Sequence, residues 1–216
     1  MSRRSGSFFT WRKAVWAGGS LAVLLGALAL VFLTGTPPAE TGTVSQEYGD
    51  DITFGPEGAR VALVEYADFE CEACAEFSPI LASLRAEYGD EVLFVFRFFP
   101  LERHRYGTVS AQVAYAAHLQ GKFWEMHDLL YEKQREWADS TDPYPYFDAY
   151  AEQLGLDLET FHRDAEAQAT KDFITAQFVQ GTAEGISHTP WFALNGTVFT
   201  PQFEKEEFTL RIDAAL

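Results

Sequence analysis

The chain has 216 residues, 47% of them hydrophobic and 15% aromatic, which suits one well-packed domain with a sizeable insertion and leaves too little for two domains plus tails. Its formal charge of −16 is uneven: Arg3, Arg4, Arg12 and Lys13 precede residue 35, every acid follows it, and the remaining 12 basic residues face 32 acids, a balance of about −20. Such a field repels phosphate backbones and anionic membrane surfaces, so no nucleic acid is expected as a partner.

Residues 1–13 form a basic N-terminus, and "AVWAGGSLAVLLGALALVFL" at 14–33 is uncharged and long enough for one transmembrane helix. Basic residues before this run and none just after it hold the N-terminus in the cytoplasm and send the rest outside. The expected location is therefore the cytoplasmic membrane, single-pass, with the C-terminal domain extracytoplasmic. A cleaved signal peptide shares the basic start, but its apolar part is shorter and ends in a small-x-small site, which "TGTPPAETG" does not offer. An uncleaved anchor is favoured. Residues 34–58, rich in Gly, Pro, Thr and acids, read as a flexible linker.

"ARVALVEYADF" then predicts a buried strand. From Cys71 the period changes: Cys74, Phe77, Ile80, Leu81, Leu84 and Tyr88 recur at three- and four-residue steps up to Gly89, which predicts an amphipathic helix with a glycine stop. "EVLFVFRFFPL" predicts a second strand, parallel to the first through a right-handed βαβ crossover. Residues 106–186 read as four or five helices broken at Gly121, at "DSTDPYP" and at Gly155. "TPWFALNGTVFT" predicts a hairpin about Asn195–Gly196, and "EKEEFTLRIDAAL" a closing helix. The plan is an α/β fold, a central mixed sheet interrupted by an all-helical insertion.

Cys71 and Cys74 are the chain's two cysteines. An extracytoplasmic address permits disulfides, but a pair three positions apart closes too small a loop to staple the domain. Where a strand turns into a helix, the first sulfur meets the unpaired N–H groups and positive dipole end that stabilise a thiolate. Cys71 is then the attacking thiol, and Cys74, one turn inside, the resolving thiol. A zinc site needs more ligands than the scattered His104, His118, His127, His162 and His188 supply, so no metal and no cofactor is expected. Two thiolates leave a Cu(I) carrier as an alternative. His118, His127 and His162 read as helix-surface or half-buried residues.

From about Asp50 onward the chain resembles the DsbA-like thiol:disulfide oxidoreductases, through "VEYADFECEAC", "RFFPL" and "HTPWFALNG" in that order. The resemblance implies a thioredoxin-like fold at 59–105 and 187–216, with 106–186 as its helical insertion. It implies a redox-active Cys71–Cys74 disulfide, a cis-proline loop at Thr189–Pro190 facing it, and Glu65 as a buried acid that takes the proton of Cys74. The implied function is disulfide exchange with reduced or misoxidised client proteins, most simply disulfide formation, with a quinone-linked oxidase or an electron carrier as integral-membrane redox partner. A reductase or isomerase, or a partner-docking module, is the alternative. Two positions depart from the family: Glu72 and Ala73 stand between the cysteines, and His188 precedes Thr189. Like charge from Glu72, Glu70 and Asp68 is expected to oppose the Cys71 thiolate, with His188 in partial compensation. A thiol pKa about three units above that of DsbA lowers the potential by about 90 mV, predicting a weaker oxidant.

Overall fold

The computed structural model describes residues 46 and 48–216. The apolar segment at 14–33, and with it the expected anchor, lies outside them. Among the described residues no helix is long and apolar enough to cross a membrane.

Strands β2 (Val61–Ala67) and β3 (Val92–Phe98), with β1 (Ile52–Phe54) before them, carry dense β-branched and aromatic runs, and every residue of β2 and β3 is buried. Such runs suit strands covered on both faces. β2 and β3 pair in parallel from Val61 opposite Val92 to Ala67 opposite Phe98, joined by helix α1 (Glu72–Tyr88). β4 (Trp191–Leu194) runs antiparallel to β2, and β5 (Thr197–Phe199) antiparallel to β4. The turn between them has positive φ at both Asn195 (47°) and Gly196 (77°), as a two-residue hairpin loop requires. The sheet order among the described residues is β1-β3-β2-β4-β5.

β1 corrects the linker assignment. Residues 52–54 form an edge strand antiparallel to β3, Ile52 opposite Phe96. The reason lies one residue earlier, where the Asp51 carboxylate accepts from Arg97 Nε at 2.9 Å and from its terminal nitrogen at 2.7 Å. Arg97 is fully buried on β3 and also donates to the Tyr66 hydroxyl at 2.9 Å, so a buried charge fastens the strand.

The insertion contains six helices among the described residues: α2 (Gly107–Leu119), α3 (Phe123–Glu132), α4 (Gln134–Ala138), α5 (Tyr144–Gln153), α6 (Leu158–Glu166) and α7 (Gln168–Ala183). Gly121 and Gly155 end helices with φ of 75° and 71°, as read from sequence. The breaks at Lys133 and Ala167 carry neither glycine nor proline, which is why fewer helices were expected. Met126, Leu130, Trp137, Phe147 and Phe161 give the insertion a core continuous with Phe96 and Phe98 of β3. α1 and the last helix, α8 (Lys205–Ala215), cover one sheet face, where Leu63, Phe94 and Phe192 meet Phe77, Leu81, Phe208 and Ile212. On the other face Val64, Tyr66 and Val95 meet Phe99, Phe178 and Ile186.

Candidate active site

β2 ends at Ala67, a three-residue turn before Cys71, which is the N-cap of α1 with φ −76° and ψ 118°. Its N–H donates to the Asp68 carbonyl at 3.0 Å, and its own carbonyl accepts from Ala75 N–H at 3.1 Å. The insertion grips this turn: the Gln134 amide donates to the carbonyls of Phe69 (2.7 Å) and Cys71 (2.9 Å), and the Tyr131 hydroxyl to that of Asp68 (3.4 Å). Helices remote in sequence thus hold the cysteine turn against the sheet.

Opposite the turn, the Thr189–Pro190 peptide is cis, and the Thr189 carbonyl accepts from the Cys71 thiol at 3.3 Å. Cys71 is only 5% exposed and Cys74 is fully buried; both are free thiols. A helix start would offer the first sulfur to solvent, but here the Thr189 loop lies against it. A groove of about 230 Å³ runs beside this loop, lined by Ala73, Phe77, His188, Pro190, Trp191 and Phe203 among others.

The Cys71 thiol is lowered to about 5, first by a hydrogen bond from the Cys74 thiol. Burial opposes this, and the Thr189 side chain and the backbone N–H groups of Cys74 and Ala73 add to it. The Thr189 hydroxyl is buried beside it and makes no hydrogen bond of normal geometry. Ala73 contributes through its backbone. Cys74 is pushed well up, by burial first and then by Cys71 and Glu65. One helix turn therefore separates a stabilised thiolate from a thiol that keeps its proton, the asymmetry that disulfide exchange uses.

Glu65 is 6% exposed, with one carboxyl oxygen lacking any hydrogen-bond partner. Burial pushes it up to about 8; the Arg85 guanidinium opposes the rise and the Cys71 charge adds to it. It stays protonated at neutral pH and is electrostatically coupled to both cysteines.

The surrounding acids do not act as expected. The Asp68 side chain has no exposed surface; its carboxylate accepts from the N–H groups of Glu70 (2.9 Å) and Leu101 (2.7 Å) and meets His104 Nδ1 at 2.7 Å. The Glu70 carboxylate accepts from Tyr106 N–H at the start of α2. Glu72 remains exposed. Two of the three acids are thus committed to local hydrogen bonds, and none of the three is among the main influences on the Cys71 thiol. His188 packs against Trp191, ring centroids 4.7 Å apart and ring planes tilted by 53°, and the histidine at the acids is His104. His127 is fully buried among aromatic rings rather than on a helix surface.

Sequence reading missed Asp68 as a structural anchor, His104 as its partner, and Gln134 and Tyr131 as supports. His104 follows Pro100 in a loop, and Gln134 sits among charged helix residues; neither spacing marks a site. Among the described residues no group of three or more His, Cys, Asp or Glu side chains is placed to hold a metal ion.

A family model described as Thioredoxin matches residues 47–214. A curated Na(+)/H(+) antiporter NhaA of Herminiimonas arsenicoxydans is 32% identical over 165 residues, covering 76% of this chain and 25% of that protein. The chain thus spans about a quarter of the length of the curated relatives it matches. Among solved structures, oxidised BdbD from Bacillus subtilis superposes with a TM-score of 0.70 at 20% identity, covering 83% of this chain and 98% of that one. Wolbachia pipientis alpha-DsbA1 superposes at 0.69 with 20% identity, over 77% and 91% of the two chains. The chain belongs to the thioredoxin family and has the fold of its DsbA-like members.

Proposed function

We propose that this protein is an extracytoplasmic thiol:disulfide oxidoreductase, tethered to the cytoplasmic membrane by residues 14–33, that passes its Cys71–Cys74 disulfide to client proteins. The observation that carries this reading is the Cys71 thiol lowered to about 5 at a helix N-terminus, beside a buried Cys74 that holds its proton.

In the donor direction a client thiolate attacks Cys71 Sγ of the oxidised pair. The S–S bond breaks, its electron pair leaves on Cys74, and Cys74 takes a proton from the Glu65 carboxyl. The second client thiolate attacks the client sulfur of the mixed disulfide and expels Cys71 as a thiolate. The client loses two electrons and gains a disulfide; the pair gains two electrons and one proton. A thiolate stabilised in the reduced form makes expulsion of Cys71 favourable, which is why formation of client disulfides is the preferred direction. The main chain of Thr189, next to Cys71, can hold an extended client segment, and the apolar groove lined by Pro190 and Trp191 its neighbouring side chains. A quinone-linked membrane oxidase would restore the disulfide.

Insulin disulfide reduction by wild type, Cys71→Ser and Cys74→Ser tests the exchange chemistry. Loss in both variants supports it, whereas an inactive wild type that binds Cu(I) tightly supports a carrier instead. Alkylation trapping in cells gives the direction: a mostly oxidised pair marks a disulfide donor, a mostly reduced pair a reductase or isomerase.

A second reading concerns a partner. The curated relatives named Na(+)/H(+) antiporters include the matching stretch as about a quarter of their length, which favours a membrane transporter as a docking partner. Site-specific crosslinking of the full chain in native membranes tests this, and an adduct without an antiporter would contradict it.

A further inference from the structure

Asp68 and His104 take no part in the exchange steps above, yet they adjoin the reactive turn. Asp68 lies three residues before Cys71, and its carbonyl receives the Cys71 N–H. Its carboxylate sits in a niche that exists because residue 107 is glycine: a Cβ there would lie 2.9 Å from both carboxylate oxygens. A carboxylate with no exposed surface needs hydrogen bonds and a counter-charge. Two backbone N–H groups supply the first, and His104, Nδ1 to Oδ2 at 2.7 Å, supplies the second. The imidazole keeps 16% of its surface in solvent and so can exchange a proton with water.

We propose that His104, held by the buried Asp68 carboxylate, is a positioning residue of the redox pair: its imidazolium stabilises the Cys71 thiolate and takes up a proton when the disulfide is reduced. The proposal rests on the reading of Cys71 as the attacking thiol.

The electrostatics agree with the geometry. The His104 imidazolium is favoured first by the hydrogen bond to Asp68, burial opposes it, and the Asp68 and Cys71 charges add to it while Arg103 subtracts. The other charged groups nearby are Glu102 on the same loop and Lys171 of α7, across a groove of about 400 Å³. Glu70, on the cysteine turn, is engaged by Tyr106. Oxidation to the disulfide removes the Cys71 charge and leaves the rest of this set in place. His104 then binds its proton more weakly, and reduction restores that affinity. By linkage, the factor by which the thiolate favours the imidazolium equals the factor by which the imidazolium favours the thiolate. Reduction therefore takes up a fraction of a proton at His104 in addition to the one delivered to Cys74.

Two measurements on the full chain test this. The first is the thiolate absorbance of Cys71 against pH in wild type and His104→Gln, where glutamine keeps a donor for Asp68 without the charge. The acid dissociation constant of Cys71 should fall about three- to tenfold in the variant. The second is an NMR titration of the His104 imidazole in oxidised and reduced wild type, whose midpoint should lie about half a unit to one unit higher in the reduced protein. Superimposable thiolate curves, or one His104 midpoint in both redox states, overturn the proposal. The titration decides the matter if the variant does not fold. A wild type with no thiolate below pH 7 would instead remove the reading of Cys71 on which the proposal rests, so the two failures are distinguishable.

Discussion

Glu65 offers the most direct test of the buried chemistry. Its carboxyl ionises ordinarily near 4.5 and is pushed up to about 8 by burial, against the opposing charge of Arg85. Between those values the unfolded chain has released a proton that the folded protein retains. The folded state binds more protons, so this group's contribution to stability is complete below pH 4.5 and falls as pH rises towards 8. At pH 7 the loss is the interval from 4.5 to 7 at about 1.36 kcal/mol per unit, or about 3 kcal/mol. Glu65→Gln preserves the shape and removes the titration. Urea denaturation of the reduced proteins should show the variant about 3 kcal/mol more stable than wild type at pH 7, with the difference shrinking towards zero below pH 5. Cys71, lowered to about 5, contributes the opposite slope, but it does so in both proteins and cancels. Parallel stability profiles between pH 5 and pH 8 would refute the buried, protonated carboxyl.

Three further outcomes follow from the same structure. A Cys71 thiol at about 5, against about 3.5 in DsbA, forgoes about 2 kcal/mol of thiolate stabilisation and lowers the potential by about 45 mV, to about −165 mV. Equilibration with glutathione measures it, and a value near thioredoxin's −270 mV would contradict the thiolate geometry. Asp51→Ala removes the buried partner of Arg97 and should cost about 2–4 kcal/mol, read as a lower urea midpoint; an unchanged midpoint would show that the ion pair does not fasten β1. Cys74→Ser should accumulate a mixed disulfide between Cys71 and a client thiol, since the resolving sulfur is gone. Mass spectrometry detects the adduct, and adducts on other residues in its place would remove Cys71 from the attacking role.

The local signals in the chain were strong where one short segment determines one element. β2, α1, β3 and the Asn195–Gly196 hairpin each carry their own periodicity or turn chemistry. β1 lacked such a signal: three residues in a polar, glycine-rich stretch become a strand because Asp51 pairs with Arg97 across the sheet, 46 positions away. The helix breaks at Lys133 and Ala167 were silent for a related reason, since neither residue is a breaker by type. At the site, the cysteine pair was legible from spacing and from the strand-to-helix change at Cys71. The partners of the acids were not legible, because charge in a sequence has no depth. Asp68 and Glu70 read as free anions, whereas their carboxylates close hydrogen bonds to Leu101, His104 and Tyr106. His188 drew attention by standing next to Thr189, yet its ring packs at a tilt against Trp191, and the histidine beside the acids comes from the loop after Pro100.

The most direct test of the central claim is stoichiometric disulfide transfer. The oxidised protein, mixed at neutral pH with a reduced, unfolded client containing two cysteines, should give one client disulfide for each Cys71–Cys74 pair converted to free thiols. A client that stays reduced while the pair stays oxidised would contradict the account.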